Sequence, residues 1–274
     1  ENERRFDLVV RLDKEKVKDL NIDKLFVRTN HGVSLTPEGQ RLYSRAAVAF
    51  EQLRLGESEL RSDCSLRTGS ISIAASEAAL HLTLLNRLDA FHRRYPGIHL
   101  RITNDSTPRA MEGLLRGQVD CAAVTTPCPV KKSLQETALV SFREILICGS
   151  DFHDLTAETR SLRDLENLPF VCMSRGTSTY TFYQQLFLKH DLAFHVEMEA
   201  GTMDQVLAMV QSNLGVGFYP ESMAAPALAA GTVFQIHLAE PIPERFVNLI
   251  EDTSRPQSVA MKAFKKMLLA PEEE

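Results

Sequence analysis

The sequence predicts an α/β protein in which strands and helices alternate, preceded by one long helix. The main indication is the stretch from Gly69 to Thr103, where a short β-rich run is followed by apolar residues at spacings of three and four, and then by alternation. This order predicts a strand, a helix and a second strand, which form a right-handed unit with a parallel strand pair. The second indication is Thr36-Pro37, a strong helix start followed by an apolar stripe to about Cys64.

Length and composition indicate an ordinary globular protein with room for two compact domains. The chain has 274 residues, of which 44% are hydrophobic and 24% charged. The formal charge of −5 gives no overall reason to bind nucleic acid or an anionic membrane. No apolar run reaches the roughly 18 residues of a membrane span, and no secretory signal pattern opens the sequence. The five cysteines are odd in number and form no CxxC pair, which predicts free thiols and a cytoplasmic protein.

The first 24 residues differ from the rest of the chain. An alternating apolar run (Phe6, Leu8, Val10, Leu12) is followed by a charged, helix-favouring stretch. The run RRFDLVVRL resembles a porter-domain segment of heavy-metal efflux pumps of the resistance-nodulation-division type. Because the resemblance is confined to this end, we interpret residues 1–24 as a foreign or rearranged N-terminal segment.

Residues 25 to 64 predict a small hairpin and a long helix. Asn30-His31-Gly32 is typical of a turn between two short strands. The helix that starts after Thr36 carries an apolar stripe, which includes Leu42, Ala46, Phe50 and Leu53. Such a helix either pairs with its copy in a dimer or lies on its own domain, and periodicity alone favours neither alternative.

The unit at Gly69 contains the first candidate ligand residue. Ser76 stands between the predicted strand and helix, where its hydroxyl is a suitable N-cap. In open α/β folds this position lies at the carboxyl edge of the sheet, where ligands bind. The predicted apolar face of the helix that follows consists of Ala78, Leu82, Leu85, Leu88, Phe91 and Tyr95.

The remaining elements alternate to the end of the chain. Thr107-Pro108 predicts an N-cap with a first-turn proline, and residues 120–125 predict a third strand, after which 127–142 is expected to be loop. Thr202 and Gln205 fit a capping box that opens a later helix. Further strands are expected at 143–148, 170–173, 194–199, 215–220, 233–238 and 245–251, with helices around 183–190, 202–210 and 259–268.

Several of these segments, in this order, resemble the LysR-type transcriptional regulators. LFVRTNHGVSLTPEGQ is similar to the wing and linker helix of that family; GSISIAAS, RRYPGIHLRI and LLRGQVDCAAV are similar to the start of its regulatory domain. VLAMVQSNLGVGFYPESMA resembles a late helix–strand element of the same domain. The resemblance covers roughly residues 25–270. The helix-turn-helix that opens the family is missing from the sequence, so we expect this chain to bind promoter DNA no better than random duplex.

The resemblance implies a two-lobed fold similar to type 2 periplasmic binding proteins, preceded by the linker helix. The domains it implies are an atypical segment with a wing remnant (1–35), the linker or dimerisation helix (36–64), regulatory subdomain I (69–142 with 245–274) and regulatory subdomain II (143–242). A ligand would lie between the lobes, which close by hinge motion. It further implies a homodimer or homotetramer, and promoter DNA as a partner of the full-length regulator.

Polar turns after the strands supply the candidate effector site. Hydroxyl groups and helix N-termini that converge on one cavity favour a carboxylate or another small anion. The alternative for each hydroxyl is an ordinary helix cap, although the resemblance favours a ligand role for Ser76. The candidates are Ser76, Thr125, Thr126, Arg175 as a charged donor, Ser178, Thr202 and, as an apolar wall, Phe218.

Nothing in the sequence predicts catalysis, a bound metal or a cofactor. The eight histidines are scattered, with no HExxH motif and no pair at ligand spacing beside a carboxylate. Cys128 is either a redox-sensing thiol near the cleft or, as we favour, an inert one, because no basic cluster adjoins it. We therefore expect an effector-sensing transcriptional regulator, with a solute-binding protein of a transport system as the alternative.

Overall fold

A computed structural model describes residues 25–29, 32–61, 66, 68–128 and 133–270. The expectations for residues 1–24, for the turn residues Asn30 and His31 and for Cys64 lie outside this part of the chain. The chain divides into two compact units, residues 1–54 and 55–274. In the described part, no helix combines the length and the apolar character that a membrane crossing requires.

The first unit contains the predicted hairpin and most of the long helix. Strands β1 (Phe26–Thr29) and β2 (Gly32–Leu35) pair antiparallel, and α1 runs over Pro37–Arg61. Thr36 caps α1 as predicted, since its Oγ1 accepts a hydrogen bond of 3.0 Å from the Gly39 N–H.

The second unit holds two mixed five-stranded sheets with helices packed against them. In chain order its elements are β3 (Gly69–Ala75), α2 (Glu77–Ala79), a π turn (Leu80–Leu84), α3 (Leu85–Arg94), β4 (Ile98–Asn104), α4 (Thr107–Leu115), β5 (Cys121–Thr125), β6 (Leu134–Phe142), β7 (Glu144–Cys148), 3₁₀ turns at Ser150–Thr156 and Leu162–Leu165, β8 (Phe170–Met173), α5 (Ser178–Leu188), β9 (Val196–Ala200), α6 (Met203–Gln211), β10 (Val216–Pro220), α7 (Glu221–Ala229), β11 (Phe234–Ile236), β12 (Arg245–Asp252) and α8 (Val259–Leu268).

The first sheet has the order β4-β3-β5-β12-β6, and we call it and its helices lobe I. Strand β3 is parallel to β4 and β5, which confirms the predicted strand–helix–strand unit. Strand β12 returns from the far end of the chain and lies antiparallel between β5 and β6. The core of this lobe therefore combines residues from both ends of the second unit, such as Phe91 and Phe264, whose rings meet edge to face.

The second sheet has the order β11-β7-β10-β8-β9, and we call it and its helices lobe II. Strands β8, β9 and β10 are parallel, whereas β7 is antiparallel to β10 and β11. Glycine is required just before β10, because a Cβ on Gly215 would lie 2.1 Å from the Pro169 carbonyl oxygen. The chain crosses between the lobes once before β7 and once before β12.

The expected loop over residues 127–142 is wrong, because Leu134–Phe142 forms the edge strand β6. Its two ends, Leu134 and Phe142, are buried, while most residues between them face outward. The strand is defined by pairing with β12, more than a hundred residues away in sequence. Local alternation is weak here, and a distant partner leaves no signal in the local sequence.

The helix after Ser76 differs from the predicted apolar face at one position. The π turn over Leu80–Leu84 adds a residue to one turn, which changes the phase of the side chains that follow. Leu84 is consequently fully buried, whereas Leu85, expected in the core, is 46% exposed.

The start of α4 also differs from the prediction. Ser106, not Thr107, is the cap residue, and Pro108 is the second helical residue. The Thr107 side chain is instead buried and donates a hydrogen bond of 3.3 Å to the Thr125 carbonyl oxygen. That bond ties α4 to the end of β5.

Candidate functional site

A cavity of about 450 Å³ lies between the two lobes. Its walls follow the carboxyl ends of the parallel strands β3, β4 and β5 in lobe I and β8 and β9 in lobe II, the usual ligand position in open α/β sheets. Of the predicted effector residues, five line it: Ser76, Thr125, Arg175, Ser178 and Thr202.

Two of the predicted effector residues are helix caps, as the sequence predicts. Ser76 Oγ accepts a hydrogen bond of 3.3 Å from the Ala79 N–H, and Thr202 Oγ1 accepts one of 3.2 Å from the Gln205 N–H. The second half of the predicted capping box is displaced by one residue, since Gln205 Oε1 accepts from the Gly201 N–H. A capping hydroxyl accepts the helix N–H through one lone pair of its oxygen, so its own O–H remains available to donate to another acceptor.

Arg245, the first residue of β12, forms the floor of the cavity and is 2% exposed. Its guanidinium donates to the Thr126 carbonyl oxygen at 2.7 Å and to Glu144 Oε1 at 2.8 Å. Nη2 donates to Thr125 Oγ1 at 2.9 Å and to Thr179 Oγ1 at 3.2 Å. The group thus joins lobe I to Glu144 and Thr179 of lobe II.

Glu144 balances the buried charge of Arg245. It is the first residue of β7, is itself 4% exposed, and accepts a short hydrogen bond from the Tyr183 hydroxyl. Burial raises the pKa of Tyr183 well above its usual value, and the Glu144 charge adds to the shift. Tyr183 therefore remains a neutral donor, and the Arg245–Glu144 pair contributes no net charge to the cavity.

The loop before α5 supplies the lobe II wall. Thr177 caps α5 through the Tyr180 N–H at 3.2 Å and donates to the Ser174 carbonyl oxygen at 2.8 Å. Ser178 follows as the first helical residue and is buried. The Arg175 side chain is 72% exposed and pairs with Glu199 at 3.4 Å, so it stands at the rim of the cavity.

Two of the predicted residues do not line the cavity. Phe218 is buried in the lobe II core, where its ring stacks on Tyr183 at a centroid distance of 4.4 Å. Phe218 occupies a position of β10 that faces the lobe II core. Because the whole GVGFYP run is apolar, the sequence does not indicate which of its side chains face the core and which face the cavity. Thr126 holds β12 in place instead, accepting at Oγ1 from the Phe246 N–H at 3.0 Å.

Glu77 connects the two lobes on another wall of the cavity. Its Oε2 accepts from the Met203 N–H at 2.6 Å and its Oε1 from the Asp204 N–H at 3.3 Å. Burial raises the pKa of Glu77, the Met203 hydrogen bond opposes that shift, and the Asp204 charge adds to it. With His81, these two carboxylates form a cluster whose ligand atoms lie within 4.8 Å of one another. Because both Glu77 oxygens already accept N–H groups, we do not assign a metal to it.

The sequence patterns did not indicate Arg245, Glu144 or Glu77, whereas Thr179 lies in the hydroxyl-bearing turn 174–179 that the sequence places at the cleft. Arg245 and Glu144 each begin an apolar strand, a position where a charged residue usually marks the surface. Their separation of about a hundred residues hides the pairing, and only the return of β12 brings them together.

The family model described as the LysR substrate binding domain matches residues 65–271. This chain belongs to the LysR family of transcriptional regulators. Among curated proteins it is 25% identical over 257 residues to a probable RuBisCO transcriptional regulator of Gracilaria tenuistipitata var. liui, covering 92% of this chain and 83% of that protein.

Solved structures of this family share the two-lobed α/β fold of this chain. The regulatory domain of Synechocystis PCC6803 CcmR, in complex with 2-PG, superposes with a TM-score of 0.67 at 18% identity, over 74% of this chain and 96% of that one. The effector-binding domain of QuiR, in complex with shikimate, gives 0.64 at 16% identity over the same fractions. At these identities the likeness establishes the fold alone.

Proposed function

We propose that this chain senses a small metabolite that carries a carboxylate or another anionic group, and that binding in the interlobe cavity regulates transcription. The supporting observation is the set of four hydroxyls on the cavity wall, each of which already accepts a bond from a protein donor. Ser76, Thr125, Thr179 and Thr202 make up this set, which we call the donor hydroxyls.

The donor hydroxyls prefer a ligand rich in acceptors. Each oxygen accepts from an N–H group, and in the described part of the chain none of the four gives its proton to a protein acceptor. A ligand that receives those protons must present oxygen lone pairs, and an ionised oxygen forms the stronger bond. Carboxylates and phosphate esters fit this requirement, whereas amines do not.

Two further features favour negative charge. The N-terminus of α5 directs its first N–H groups and the positive end of the helix dipole toward the cavity at Ser178 and Thr179. Arg109 adds positive side-chain charge to the lining, and Arg175, which pairs with Glu199, stands at the rim. The complexes of CcmR with 2-PG and of QuiR with shikimate support a small-molecule effector for this chain.

The proposed regulatory role rests on membership of the LysR family and not on the geometry of the cavity. We propose that the full-length regulator binds promoter DNA, that it assembles as a homodimer or homotetramer through Leu42, Ala46, Phe50 and Leu53, and that the effector alters this assembly. The first of these residues, Leu42, is 41% exposed, and Phe50 is 69% exposed. The names of the curated relatives favour a regulator over the solute-binding alternative.

The test begins with a thermal-shift screen of small carboxylates and phosphate esters, each paired with a neutral amide or alcohol of similar shape. The anion that raises the melting temperature most is then titrated by calorimetry into wild type, Ser76→Ala and Thr179→Val. A hydrogen bond to a charged group contributes about 1.5–3 kcal/mol, so each variant should bind roughly ten- to a hundredfold more weakly.

Ser258→Ala is the matched control, because Ser258 caps α8 through the Met261 N–H at 3.1 Å and does not line the cavity. Loss of either cap should cost about 1 kcal/mol of stability. Only Ser76→Ala should also lose affinity. If folded Ser76→Ala and Ser258→Ala bind the effector with equal affinity, Ser76 is only a structural cap. If only the neutral analogues raise the melting temperature in the screen, the proposal of an anionic effector is contradicted.

A further inference from the structure

Glu77 makes an unusual contact for a residue that begins a helix. A carboxylate in a first turn normally stabilises its own helix, but both Glu77 oxygens accept N–H groups from a different helix, α6. Glu77 belongs to lobe I and α6 to lobe II, so the contact joins the two lobes at one wall of the cavity. The geometry is that of an anion bound at a helix N-terminus, with the anion supplied by the protein.

We infer that Glu77 is an internal ligand of the α6 N-terminus, that it straps lobe I to lobe II, and that it excludes the effector's anionic group from the α6 amides. The cap of α6 is complete with Glu77 in place. The Met203 and Asp204 N–H groups bond to Glu77, the Gln205 N–H to Thr202 Oγ1, and the Val206 N–H to the Thr202 carbonyl oxygen. No first-turn N–H group of α6 is left for a second anion.

The consequence for the effector rests on the proposed function. With the α6 amides occupied, the N-terminus of α5 and the donor hydroxyls remain available to the effector, and its charge is expected there. Asp204, whose carboxylate lies beside Glu77, further disfavours a second anion at α6.

The strap is tested without any effector, by amide hydrogen exchange at single-residue resolution in wild type, Glu77→Ala and Glu77→Asp. In Glu77→Ala the amides of Met203 and Asp204 should exchange roughly ten- to a hundredfold faster, because each loses a bond to a charged acceptor. Gln205 and Val206 should keep their protection, since Thr202 still caps the helix. Glu77→Asp, one methylene shorter, should resemble Glu77→Ala.

Acetate provides the positive test. If the site holds a carboxylate, acetate at roughly 0.1 M should restore protection at Met203 and Asp204 in Glu77→Ala and leave wild type unchanged, whereas matched chloride should do neither. Glu221→Ala is the control variant, because Glu221 is an exposed first-turn carboxylate of α7. It should leave the α6 amides unaffected.

Two results would overturn the inference. One is equal exchange of Met203 and Asp204 in wild type and Glu77→Ala. The other is a faster exchange that acetate cannot reverse and that extends to Gln205 and Val206, since this pattern indicates general loosening of α6. Neither result bears on whether an anion binds at the α5 side, which the calorimetric titration measures independently.

Discussion

Removal of the Arg245 guanidinium should destabilise the second unit strongly. Arg245→Met retains an apolar side chain of similar length but deletes four hydrogen bonds, including the 2.8 Å bond to Glu144. Glu144 then keeps the Tyr183 hydroxyl but no positive partner, in a site where its side chain is 1% exposed. Breaking a buried pair by removing one partner costs about 3–5 kcal/mol, because the remaining charge stays desolvated.

The measurement is thermal denaturation followed by circular dichroism at one fixed protein concentration. For a unit of this size, a loss of 3–5 kcal/mol corresponds to a decrease in melting temperature of about 6–20 °C. Arg93→Met is the matched control, because Arg93 pairs with Asp89 at 2.9 Å on the exposed face of α3. Such an exposed pair is worth only about 0.3–0.5 kcal/mol.

The double variant Arg245→Met/Glu144→Gln separates the charge from the packing. Without an ionised Glu144, much of the destabilisation should disappear, so the two changes should be strongly non-additive. If Arg245→Met costs no more than Arg93→Met, or if the two changes simply add, the buried pair does not organise the cavity floor.

Two predictions concern the helix α1 and the cysteine near the cleft. Phe50→Glu should weaken self-association by at least a hundredfold in sedimentation experiments, because burying a large apolar side chain contributes about 1.5–3 kcal/mol in each copy; a wild-type monomer at tens of micromolar would contradict the assembly proposal. Burial and then the Glu136 charge raise the pKa of Cys128 to about 11, so at pH 8 iodoacetamide should modify it roughly ten- to a hundredfold more slowly than an ordinary thiol, at a rate that increases with pH. Modification at the ordinary rate would restore the redox-sensing alternative.

Local sequence patterns predict most of the helices and strands, and they indicate five of the residues that line the cavity. Ser76 and Thr202 were found because a hydroxyl before an apolar helical repeat is a cap signal, and caps at strand ends lie near the cleft. Strand β6, by contrast, depends on β12, and the phase of the helix after Ser76 depends on a π turn that spacing cannot reveal. Phe218 was misplaced because an apolar run in a doubly covered strand does not indicate which side faces the cavity.

The two lobes are held together by contacts of unequal strength. In the described part of the chain, the hydrogen bonds that join them come from Arg245 to Glu144 and Thr179, and from Glu77 to the α6 amides. Arg245 and Glu144 lie where the chain crosses between the lobes, so their bonds survive a rotation about the crossings with little displacement. The Glu77 bonds join two helix starts away from the crossings, and a rotation that opens the cavity would lengthen them. A change of lobe angle should therefore begin by releasing Glu77 from Met203 and Asp204, while the Arg245 network remains as the pivot.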